Sequence, residues 1–175
     1  EDRRYPEKFI NDLAKDFELT ASLEPSNPDL PKVMKKLPRG SLLSTGNLRA
    51  LGLLLLEDRA TVQTGVRVYL ESIGGEDKLR KKAVDVYLEC LEERDLSLRQ
   101  AGCAAIAALK ATEALEQLLY LLKCDMDDVK STAKEALMAF GEEGKQAYEQ
   151  ISYTPYGNYS HDYTDVEVPV MTTEL

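Results

Sequence analysis

The chain has 175 residues, 43% of them hydrophobic and 30% charged, with a formal net charge of −9. That length suits one domain with room for a real core, and a composition with no Trp and only 3 Phe makes that core aliphatic. The acidic balance argues against a nucleic-acid or anionic-membrane partner, since both need a positive footprint. The longest apolar run, residues 51–56, falls well short of the roughly 20 residues of a membrane span.

The chain opens Glu-Asp-Arg-Arg with no initiating Met and no signal peptide, and reads as a fragment. A first helix is predicted over residues 7–19, with Phe9, Ile10, Leu13 and Phe17 on one face, where it can cap the array that follows. Residues 21–31 carry Pro25, Pro28 and Pro31 and read as a connecting loop. Leu30, Val33, Met34 and Leu37 make a short stripe that ends at Pro38-Arg39-Gly40. Leu48, Leu51, Leu53, Leu54 and Leu55 then predict a helix apolar nearly all round, and so buried between neighbours.

The next helices repeat one pattern. Val62, Gly65, Val66, Tyr69, Leu70 and Ile73 form a helical stripe closed by Gly74-Gly75. Glu76-Asp77 open a helix carrying Leu79, Ala83, Val86 and Cys90. Leu98, Ala101, Gly102, Ala105, Ile106 and Leu109 follow i, i+3, i+4, i+7, i+8, i+11. Lys110 and Ala111 interrupt, and Thr112 is placed to cap a helix with Leu115, Leu118, Leu119 and Leu122. Asp127 and Asp128 open a further helix with Val129, Thr132, Ala133, Ala136, Leu137 and Phe140. Gly141 stops it, and Glu142-Glu143 begin a last one with Ala147, Tyr148 and Ile151.

Stripes starting at Val62, Leu98 and Val129 are spaced by 36 and 31 residues, two helices to a period. Such periods predict an all-α fold, an α-solenoid of about four stacked helix pairs of the HEAT/armadillo kind. Small residues at Gly65, Ala101 and Thr132 would let neighbouring helices approach closely. Ile106 and Leu119, mid-stripe in the clearest repeat, are predicted to be buried.

Residues 1–151 form this repeat domain, and the chain then changes character. Residues 152–175 hold no Lys or Arg, four acidic residues and four tyrosines, and read as a flexible acidic tail that orders only on a partner. It ends Thr173-Glu174-Leu175, the Ser/Thr–x–aliphatic ending that PDZ domains take by β-augmentation. Asn158-Tyr159-Ser160 is a glycosylation sequon that a reducing compartment leaves idle.

Chemistry is hard to assemble from this sequence. The one histidine, His161, lies in the tail, so the repeats cannot supply a Ser–His or Cys–His pair. No phosphate-cradling glycine loop occurs. Cys90, Cys103 and Cys124 have no CxxC or Cys/His spacing; they read as buried reduced thiols with no metal or cofactor, consistent with the cytoplasm. The expected role is therefore partner binding without catalysis. Second helices of stacked pairs commonly line the binding face, and on the 112–123 helix the face opposite the leucines presents Glu116, Gln117, Tyr120 and Lys123. Tyr120, with Gln117 beside it, is the candidate contact, since aromatics are enriched at binding hot spots. Lysine clusters at Lys78, Arg80, Lys81, Lys82 and at Lys32, Lys35, Lys36, Arg39 read as solvated helix faces, with an acidic-peptide patch as the alternative. An oligomerisation domain pairing end repeats with a second copy is the alternative function.

Two stretches carry a family resemblance. Leu98-Arg-Gln-Ala-Gly-Cys-Ala-Ala-Ile-Ala-Ala-Leu-Lys with Thr112-Glu-Ala-Leu is one; Ala136-Leu-Met-Ala-Phe-Gly-Glu-Glu-Gly-Lys-Gln-Ala-Tyr-Glu-Gln-Ile is the other and the more specific. Together they resemble the C-terminal helical repeats of the Rho family-interacting cell polarization regulators, over residues 45–151. The resemblance implies a cytoplasmic regulator that restrains Rho GTPases in polarity and migration. It also implies that the Rho-binding part lies towards the family's N-terminus. This chain would then be the docking or self-association end, and no Rho-contacting residue transfers to it.

Overall fold

In a computed structural model, residues 43–153 are described without interruption, together with Pro28, Asp29, Pro31 and Lys32. The helix expected over 7–19, most of the 21–31 loop, the stripe at Leu30, Val33, Met34 and Leu37, and the tail beyond residue 153 lie outside the described residues. Within them the protein is all-α: α1 (Thr45–Leu54), α2 (Ala60–Gly74), α3 (Asp77–Leu91), α4 (Leu96–Leu109), a 3-10 turn (Thr112–Ala114), α5 (Leu115–Cys124), α6 (Asp127–Ala139) and α7 (Glu142–Tyr153).

The helix ends follow local chemistry. Ser44 Oγ accepts the Asn47 N–H at 3.2 Å to start α1, and the Asp95 carboxylate accepts from Ser97 and Leu98 at 2.7 and 3.2 Å to start α4. These bonds satisfy donors that a helix N-terminus leaves free. Asp127 and Asp128 in the first turn of α6 and Glu142 and Glu143 in that of α7 complement the helix dipole. Lys110 closes α4 in the left-handed region, at φ 49°. Thr112 does not cap an α-helix as expected. Ala111 and Ala114 are both fully buried, which draws this linker onto the core as a 3-10 turn and delays α5 until Leu115.

Backbones approach most closely between α3 and α4, α4 and α6, α5 and α6, and α1 and α4. The hub is α4, and its composition explains why. A Cβ added at Gly102 would lie 3.0 Å from Cys90 Cβ, Leu91 Cδ2 and the Tyr87 carbonyl oxygen of α3. On another side, a Cβ at Gly52 of α1 would meet Ala101 Cβ at 3.2 Å. The small-residue contact expected at Ala101 is thus real, with Gly102 beside it the tighter one. The Tyr87 hydroxyl, fully buried, donates to the Leu48 carbonyl oxygen at 2.7 Å, so a polar group in the core keeps a partner. Burial pushes this phenol well above its ordinary pKa, and the neighbouring Cys90 and Tyr69 add to the effect.

All six residues of the α2 stripe are buried, as are Ala101, Gly102, Ala105, Ile106 and Leu109 on α4 and Val129, Ala133, Ala136 and Leu137 on α6. On α5 only Leu118 and Leu121 are buried, and Leu119 is partly buried rather than fully covered, against the expectation from its stripe. That helix leans on α6 and scarcely approaches α3, so Leu118 and Leu121 are fully covered while Leu115, Leu119 and Leu122 pack against the core from its edge. At the far end, a Cβ at Gly144 would collide with the Leu137 carbonyl oxygen; the Gly141-Glu-Glu-Gly144 corner folds α7 tightly back on α6.

Candidate functional site

Since α4 and α6 pack closely while α3 and α5 stay apart, an open cleft of about 740 Å3 lies between the latter two. One wall is the end of α3 and its following loop, with Leu91, Glu92, Glu93 and Arg94; the other is α5, with Glu116, Gln117, Tyr120, Leu121 and Cys124. Arg99 and Asp125 complete the lining.

Arg99 organises the cleft. Its Nε and Nη2 donate to Asp125 Oδ2 and Oδ1 at 2.8 and 3.0 Å, and its Nη1 donates to the Glu93 and Arg94 carbonyl oxygens, each at 2.9 Å. One guanidinium thereby ties the exit of α3 and the start of α4 to the end of α5. Burial alone would raise the Asp125 carboxyl, but the Arg99 hydrogen bonds, the Met126 N–H and the charges of Arg99 and Lys130 outweigh it and hold the group below the usual carboxylate range. Glu93 is also engaged, accepting from Arg49 Nη2 of α1 at 2.8 Å. Glu92, Arg94 and Glu116, all exposed, form no ion pair among the described residues.

Tyr120 stands where the sequence places it, on the outer face of α5. It is 65% exposed, the most exposed of the large hydrophobic residues among those described. Gln117 is exposed one turn before it, and both line the cleft. Lys123 is exposed but does not line it. Thr173, Glu174 and Leu175 lie outside the described residues. Cys90 and Cys103 are buried, as expected, and burial pushes their thiols up, that of Cys103 to about 12. Cys124 is exposed, against expectation, because it ends α5 where that helix borders the cleft. The contributions of Glu92, Arg94, Arg99 and Asp125 were not foreseen. Their one signal in the sequence was a cluster of charge at helix ends, which spacing alone does not bring together.

Of the lysine-rich start of α3, Lys78, Lys81 and Lys82 are exposed, while Arg80 grips Glu113 of the 3-10 turn through both carboxylate oxygens. That pairing raises the Arg80 pKa and lowers that of Glu113. Lys32 pairs with Asp29 at 3.1 Å; Lys35, Lys36 and Arg39 lie outside the described residues. Among the described residues no group of three or more His, Cys, Asp or Glu could hold a metal ion, and no helix is long and apolar enough to cross a membrane.

No protein-family model matches the chain. Among curated proteins, it is 32% identical over 152 residues to Rho family-interacting cell polarization regulator 2 of Bos taurus, covering 85% of this chain and 15% of that protein. It is 34% identical over 148 residues to Rho family-interacting cell polarization regulator 1 of Rattus norvegicus, covering 83% and 12%. It is 31% identical over 150 residues to RIPOR family member 3 of Mus musculus, covering 83% and 16%. The chain thus spans about 15% of the length of the first of these relatives. The aligned stretches are longer than residues 45–151, so the similarity takes in flanking sequence as well.

Proposed function

Since this chain is a relative of the Rho family-interacting cell polarization regulators over most of its length, we propose that it is a protein–protein interaction module of a cytoplasmic regulator of Rho signalling and cell polarity. It works by docking and not by catalysis. The observation that carries this reading is Tyr120, 65% exposed on a wall of the cleft between α3 and α5. A large aromatic held on a rigid helix beside a concavity is the arrangement that partner hot spots favour. The tail supplies a second contact: Thr173-Glu174-Leu175 engages a PDZ domain, adding a strand at its sheet edge. Two weak contacts on one chain reinforce each other through effective concentration.

Affinity capture followed by quantitative mass spectrometry tests the reading, with the intact chain, a Tyr120→Ala chain and a chain lacking Leu175. A set of proteins lost with Tyr120→Ala at unchanged melting temperature supports the cleft as the docking site. A separate set of PDZ-containing proteins lost with Leu175 supports the tail contact. Identical recovery by all three chains would refute both.

A further inference from the structure

The cleft carries more information than its exposed aromatic. Four of its lining residues are acidic (Glu92, Glu93, Glu116 and Asp125) and two are basic (Arg94 and Arg99). Arg99 has little left to offer an anion, because Asp125 and two backbone carbonyls take four of its five N–H donors. Glu93 is neutralised by Arg49. What remains for a ligand is Glu92 on the α3 side and Glu116 on the α5 side, one on each wall, with Arg94 between chain turns as the single opposing charge. Both α3 and α5 also end at this cleft, at Leu91 and Cys124, and helix C-termini favour cations. The Tyr120 ring adds an exposed π face, on which an Arg or Lys cation is attracted by the ring quadrupole. Leu91 and Leu121 give the same cleft an apolar part, and its volume falls within the roughly 300–1,000 Å3 of ordinary ligand pockets.

Resting on the reading of the cleft as a docking site, we propose that its occupant is a basic peptide segment of a partner protein, with an Arg or Lys stacked on Tyr120 between Glu92 and Glu116 and a neighbouring aliphatic side chain against Leu91 and Leu121. The chain's own acidic tail is thereby disfavoured as occupant, since it carries four acidic residues and no Lys or Arg.

Selection from a random dodecapeptide phage library on the intact chain tests this, followed by fluorescence polarisation with the recovered peptides. Cys124 gives an independent readout, because it lines the cleft and is the exposed one of the three cysteines: a bound peptide should shield it from maleimide. The expected result is enrichment of Arg and Lys, at least tenfold weaker binding to Tyr120→Ala and to the double variant Glu92→Lys/Glu116→Lys, and protection of Cys124. All three substituted side chains are exposed and lack ion pairs among the described residues, so melting temperatures should stay within a degree or two of the parent. Acidic or uncharged peptides that shield Cys124 and depend on Tyr120 would overturn the charge assignment while leaving the cleft a docking site. Peptides indifferent to Tyr120 and Cys124, or no peptides at all, would overturn both.

Discussion

Arg99 and Asp125 face each other as a two-pronged ion pair, Nε to Oδ2 at 2.8 Å and Nη2 to Oδ1 at 3.0 Å, with side chains only 16% and 10% exposed. The pair is what joins the α3–α4 loop to the end of α5. Removing the arginine strands a shielded carboxylate and two backbone carbonyls, so Arg99→Ala should destabilise the fold by on the order of 3 kcal/mol, measured by urea denaturation.

The same pair predicts a dependence on pH. Asp125 is held below the usual carboxylate range in the folded chain, whereas unfolded it titrates near about 3.9. The unfolded state therefore binds the proton first as pH falls. The stability it contributes is fully present above about pH 4 and is lost on acidification through the lower folded value. In Arg99→Ala that contribution is absent, so the difference in stability between the two proteins should hold down to about pH 4 and shrink over the acid range below it. A constant difference across that range would mean that the pair acts through packing alone.

The core position Ile106 and the edge position Leu119 should respond differently to truncation. Ile106 is fully buried in α4, and its replacement by Ala should cost about 2–5 kcal/mol through lost burial and a residual cavity. Leu119 is only partly buried at the edge of the core, so Leu119→Ala should cost less, with Leu118→Ala restoring the larger value. Thermal melts of the three variants side by side decide the matter.

Two glycines in helices should give opposite signs. At Gly102 an added methyl meets Cys90, Leu91 and the Tyr87 carbonyl at 3.0 Å, and Gly102→Ala should destabilise by about 1–3 kcal/mol despite better helix propensity. At Gly46 nothing lies within 4 Å, so Gly46→Ala should stabilise by about 0.4–1 kcal/mol. A gain from Gly102→Ala would show that α3 and α4 can move apart freely.

Thiol chemistry should single out one site. Cys124 is exposed, whereas Cys90 and Cys103 are buried with thiols pushed up, that of Cys103 to about 12. Maleimide treatment of the native chain followed by peptide mapping should modify Cys124 alone, and all three only after unfolding.

Most of the helical architecture is written in local pattern. The α2 stripe from Val62 to Ile73 is buried at every position expected, Gly74-Gly75 and Gly141 end helices where they stand, and Tyr120 faces outward as the period of α5 requires. Such features depend on one helix and its own axis, which the 3.6-residue repeat reports directly. What lies between helices is decided elsewhere. Leu119 and Cys124 share the periodicity of buried neighbours, yet Leu119 is only partly covered and Cys124 is exposed, because α5 leans on α6 and leaves α3. Thr112 sits in a 3-10 turn because Ala111 and Ala114 sink into the core. The pairing of Arg99 with Asp125, 26 residues apart, and the gathering of Glu92, Arg94 and Glu116 around Tyr120 arise from the spacing of α3 and α5. Periodicity marks the face a helix must cover, but how completely a neighbour covers it depends on how closely two backbones can approach. The glycine and alanines of α4 set that distance on one side of the hub, and the tertiary fold alone shows that on the other no described residue fills it.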